Sequence, residues 1–120
     1  MQALALKAYG EVQKRTADPR SIEAALFRQI TDGMIGAKDL RDSDPSNWAN
    51  AINKNLELWN ALGSDLLHPG NQLNDSLRKS LLELSLFVRR ATNKILAGSN
   101  ELEDLIAINE SIIQGLQPSG

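Results

Sequence analysis

"LLELSLFVRR", residues 81–90, is the most apolar stretch of the chain, and its reading decides the fold. Locally, Leu82, Leu84 and Leu86 alternate with Glu83 and Ser85, which is a strand pattern. Over residues 77–95, however, Leu77, Leu81, Leu84, Val88, Ala91 and Ile95 advance in alternating steps of four and three, the spacing of one helix face. The longer stripe outweighs the short alternation, so residues 75–97 are read as one helix, about 34 Å long. Phe87 broadens one edge of the stripe. Leu82 and Leu86 fall on nearly the opposite side, among Lys79, Glu83, Arg89, Arg90 and Asn93. This helix therefore carries more leucine than one buried face needs.

Working outward, the punctuation divides the rest of the chain into helices as well. Asp18-Pro19 and Asp44-Pro45 each place a capping side chain before a proline at the first helical position. Asn74 precedes another start, and Asn100 with Glu103 has capping-box spacing. Gly98 and Gly115 stand where C-terminal caps belong, and "HPGN" at 68–71 is a turn. Helices are expected at 2–15, 19–37, 45–67, 75–97 and 101–114.

Each shows an apolar stripe: Leu4, Ala8 and Val12 in the first; Ile22, Leu26, Ile30, Gly33 and Ala37 in the second, widened by Phe27 and Met34. The third has Trp48, Ile52, Leu56, Trp59, Leu62 and Leu66, and the last Leu102, Leu105, Ile106, Ile112, Ile113 and Leu116. The expectation is an all-α fold, a compact bundle of about five helices with helix 75–97 central, forming one domain over 1–116 with a tail at 117–120.

Composition narrows the function. With 13 basic and 15 acidic residues the net charge is −2, too weak a field to hold a nucleic-acid backbone. The absence of cysteine removes disulfides, thiolate metal ligands and cysteine nucleophiles together. The opening "MQALALKAYGEV" lacks a basic leader and a cleavage signature, and no run approaches the roughly 18 apolar residues of a membrane span. A soluble, cytoplasmic protein without membrane contact is expected.

Chemistry finds no footing. The only histidine, His68, sits in the turn, with Asp65 one helical turn away and no nucleophile beside them. Glu101, Glu103 and Asp104 suit the positive end of a helix better than a metal. No phosphate loop or dinucleotide fingerprint occurs. The chain is read as a non-enzyme without cofactor or metal. Arg89-Arg90 reads as a solvated pair whose stems lie along apolar surface.

Two features remain. Asn109 projects into the middle of the last stripe, either as a hydrogen-bonded core amide that fixes register, the stronger reading, or as a polar contact in a partner groove. Leu82 and Leu86 are either a second core face of a helix wrapped on both sides, which five helices in 120 residues favour, or the lining of a surface for a partner's helix. Leu58, Trp59 and Phe87, at the edges of their stripes, share that ambiguity.

Against this background, "LELWNALGSDLLHPGNQLNDSLRKSLLELSLFVRRATNKILAG" followed by "LEDLIAINESIIQGL" resembles the FlaF family of flagellar proteins of alphaproteobacteria. The resemblance is carried by Leu58-Trp59 with Leu62 and Asp65, Pro69-Gly70-Asn71, Leu84-Ser85-Leu86 with Val88 and Arg90, and Leu105-Ile106-Ile108-Asn109 with Gly115-Leu116. "AYGEVQKRTADPRSIEAALF" near the start is similar too, so the likeness spans about residues 8–116. Phe87 stands where Trp is expected and Asn74 where Pro is common, and each keeps the local role.

The resemblance implies a small cytoplasmic protein of flagellum assembly, similar in role to a flagellin secretion chaperone. Such a protein binds unpolymerised flagellin through its terminal helical segments, promotes its synthesis and export, and acts opposite FlbT, itself a possible partner. The alternative it leaves is a post-transcriptional regulator acting on flagellin mRNA together with or against FlbT. The partner-binding residues expected under the first reading are Leu82, Leu86, Phe87, Trp59, Leu58 and Arg90.

Overall fold

The computed structural model describes residues 19–99 and 102–116, with side chains for 23–99 and 102–115. The expected helix 2–15 with its stripe, the Asp18 cap, the Ile22 and Leu116 side chains, Asn100, Glu101 and the tail 117–120 lie outside the described residues. So do the outer limits of the expected domain.

Among the described residues are four helices: α1 (Pro19–Ala37), α2 (Pro45–Leu67), α3 (Asp75–Leu96) and α4 (Leu102–Leu116). They form an all-α bundle in which each helix packs on two others, in the cyclic order α1, α2, α3, α4 and back to α1. Lys38 pairs with Glu103 and Arg28 with Glu110, which sets α1 antiparallel to α4. Asn60 meets Arg89 and Gly63 meets Ser85, which sets α2 antiparallel to α3.

Local chemistry sets the ends of these helices. The Asp44 carboxylate accepts from the Asn47 N–H, with Pro45 opening α2. The Asn74 side chain accepts from the Leu77 N–H at 2.8 Å and starts α3. Between them His68 Nδ1 accepts from the Gly70 N–H, and the Asn71 amide donates back to the Asp65 carbonyl. His68 is thus an exposed turn-former.

Gly98 stops α3 at φ +118°, a backbone region that glycine alone enters freely. There Arg41 lies over the Trp48 ring and donates to the Gly98 carbonyl, joining the α1–α2 and α3–α4 connections. Gly115, expected to end the last helix, lies inside α4 with ordinary φ.

The core departs from the expected pattern in two ways. First, α3 is not central. Nine residues of α2 are buried but only four of α3, Val88, Ala91, Thr92 and Ile95, all toward its C-terminal end. α3 contacts α2 and α4 and no other described helix. Second, α1 is rotated from its expected face. Ala24, Phe27, Thr31, Met34 and Ala37 are buried, while Leu26 and Ile30 are half-buried and Gly33 is exposed. Two apolar rows compete on this helix, and the row that prevails brings Phe27 edge-on to Trp59 at 5.9 Å between ring centres.

It also brings Thr31 to the polar centre of the bundle. Asn109, fully buried on α4, accepts from the Trp59 indole N–H at 2.9 Å. Its amide donates to Asn55 Oδ1 at 2.7 Å and to Thr31 Oγ1 at 3.1 Å. The structural reading of Asn109 therefore holds: one amide joins α4 to α1 and to α2.

The network makes a contrasting pair of predictions. Asn109→Leu strands the Trp59 N–H and the Asn55 amide, and urea or thermal unfolding should show a loss of about 3 kcal/mol, roughly 10–15 °C in Tm. Asn55→Leu removes an amide whose NH2 already lacks a partner among the described residues and leaves Asn109 its bonds to Thr31 and Trp59. It should change stability by less than about 1 kcal/mol. At the strapped end, Gly98→Ala should cost about 1–2 kcal/mol, because alanine disfavours that positive φ.

Candidate functional site

The surplus leucines lie on the open side of α3. No residue of its first half, 75–87, is buried. Leu86 is 55% exposed and Leu77 and Phe87 are about 40% exposed, whereas Val88 immediately after is fully covered. Leu82 is half-buried. Wrapping of α3 on both sides, the arrangement the residue pattern favoured, is thus not what the described residues form. The reason is geometric: α4 packs mainly against α1 and touches α3 less, leaving the outer face of α3 without a described neighbour.

What this face borders is a groove of about 520 Å³ between α2 and α3. Gly63, Ser64 and Leu67 line it from α2, and Leu82, Ser85 and Leu86 from α3. Small residues create it. A Cβ on Gly63 would sit 3.1 Å from Ser85 Oγ, so the two helices approach closely there and the longer leucines stand up on either side. Leu67, 73% exposed, faces the α3 leucines across the opening. Above them Arg89 reaches across to Asn60 Oδ1 at 3.4 Å.

The six expected partner-binding residues separate into three sets. Leu82 and Leu86 line the groove together. Phe87 and Arg90 are exposed on α3 but stand outside the groove lining. Trp59 and Leu58 are 0% and 3% exposed, in the core and outside the groove lining. Trp59 is held there because its indole N–H finds the buried Asn109 carbonyl, a partner fifty residues away. Leu67 is the groove residue that sequence reasoning missed. The signal was available: with Leu66 on the core stripe, its immediate neighbour must point about 100° away.

A smaller hollow of about 250 Å³ lies at the strapped end, among Lys38, Arg41, Trp48, Ile95 and Glu103. Lys38 pairs there with Glu103, and Arg41 is engaged with the Trp48 ring and the Gly98 carbonyl. Among the described residues no three His, Asp or Glu side chains gather as metal ligands would. No described helix is long and apolar enough to cross a membrane. The exposed apolar lining of the larger groove suits association.

Leu86→Asp should leave the helical circular-dichroism signal and cooperative melting within about 0.5 kcal/mol of the parent, as a surface change does. Trp59→Ala should lose about 3–5 kcal/mol in the same measurement. Equal losses would place Leu86 in the core.

Residues 5–116 match the family described as Flagellar protein FlaF. No curated protein and no solved structure matches the chain.

Proposed function

The chain belongs to the FlaF family of flagellar proteins, and on that premise we propose that it is a flagellin-binding chaperone and regulator. It promotes flagellin synthesis and export by covering a terminal helical segment of the unpolymerised subunit. Family membership supports a role in flagellar regulation. The observation that carries the finer reading is the groove itself, with Leu82 and Leu86 on one helix and Leu67 on the next, open to solvent along a helix half with no buried residue.

A groove with Leu82 and Leu86 on one side and Leu67 on the other suits the apolar face of one amphipathic helix, met at i, i+3 and i+4 spacing. Each leucine taken fully out of water contributes about 1.5–3 kcal/mol. Several together offset the several kcal/mol needed to order a partner segment that is unfolded when alone. A small number of such contacts supports micromolar affinity, enough to hold an export substrate and still release it. The close approach of Gly63 and Ser85 forms the floor of the groove, below the leucine side chains.

Calorimetry with purified monomeric flagellin tests this. Binding in the micromolar range is expected, and its absence at about 50 µM protein rules out direct capture. Leu82→Asp and Leu86→Asp should each weaken binding about tenfold or more while the fold persists. Full affinity in both variants would place flagellin elsewhere on the bundle.

A further inference from the structure

The charges of this molecule are sorted by helix. Five of the 13 basic residues and two of the 15 acidic ones lie in α3, giving it +3 against −5 for the rest of the chain and −2 overall. At about 100° per residue, Lys79, Arg89 and Arg90 share an arc of roughly 120° with Leu82 and Leu86; Glu83 lies at its edge, and Asp75, in the first turn, falls inside it. Arg78 is engaged with Asp75 at the start of the helix. Arg89 donates to Asn60, a neutral partner, and Lys79 and Arg90 make no ion pair among the described residues. All three are exposed. The apolar pair is therefore framed by cations, on a protein that is otherwise acidic.

We infer that this face selects its occupant by charge: it takes an amphipathic helix whose apolar stripe is flanked by acidic side chains. The inference rests on the reading of the groove as a flagellin site and specifies which kind of segment the groove accepts. Charge also argues against the other occupants. A second copy docked by the same face would bring the same +3 helix against itself. The N-terminal residues 1–18 carry Lys7, Lys14 and Arg15 against Glu11 and Asp18, the same sign as the rim. A single-stranded nucleic acid would want stacking rings, and the face offers two leucines at its centre, with Phe87 the only exposed ring among the described aromatic side chains. Rim charges of this kind steer encounter and set register while the leucines supply the contact area.

The test uses the full chain and three synthetic peptides with one leucine stripe, flanked by Glu, Gln or Lys, titrated by fluorescence anisotropy at low and physiological salt. The Glu peptide should bind about tenfold more tightly than the Gln peptide, and the gap should narrow with salt. The double variant Arg89→Glu/Arg90→Glu should invert the ranking toward the Lys peptide, and Lys79→Glu should move it the same way. Equal binding of the three peptides overturns the inference, and so does a ranking unchanged in the variants. Tighter binding of an RNA oligomer or an anionic vesicle than of the Glu peptide also overturns it. Flagellin titrated in parallel keeps the two readings apart. Flagellin bound equally by parent and double variant removes charge selection and leaves the chaperone reading standing. A Glu preference without flagellin binding supports charge selection and removes flagellin as the partner.

Discussion

Asn109 is the point on which the bundle is assembled. Its carbonyl accepts a hydrogen bond from the Trp59 indole N–H, and its amide donates to Asn55 and Thr31, so one fully buried side chain links α4 to α1 and α2. Apolar contact is non-directional and would accept several rotations of these helices. A buried hydrogen-bond set accepts few, because any slip strands donors and acceptors away from water. The azimuth of α1, the inward position of Trp59 and the edge-on packing of Phe27 all agree with this one arrangement. It is incompletely satisfied, since the Asn55 NH2 has no partner among the described residues. Some stability is given up for a unique packing.

The same constraint produces the free face. With α4 packed mainly against α1, α3 keeps α2 as its main neighbour. Its inner residues, Val88 to Ile95, are covered, and its first half is left open. The groove that carries the proposed function is thus a by-product of how the polar centre is built, with Gly63 and Ser85 setting its floor.

Much of the fold is legible in the sequence because it is local. Asp44-Pro45, Asn74 and Gly98 each act within a few residues of themselves, and the helices begin and end where those signals stand. The resemblance, too, pointed to the family that the chain joins. The illegible part is long-range. On α1, Leu26 and Ile30 look as good a core row as Phe27 and Met34, and only partners on α2 and α4 decide between them. Trp59 looks like an edge aromatic until its acceptor fifty residues away is known. Leu82 and Leu86 stand out as surplus from pattern alone. Leu67 becomes their counterpart only once α2 and α3 are laid side by side.

The Arg41 strap gives the molecule a grain. At that end a single guanidinium, stacked on Trp48 and bonded to Gly98, clamps two connections together. At the other, α3 leaves the Pro69-Gly70 turn with no buried side chain until Val88. Cohesion is graded along the bundle axis, firm where the helices are strapped and weak where the leucines are bare. The bundle behaves less like a uniform block than like a clothes-peg, sprung at one end, with its jaws toward the other.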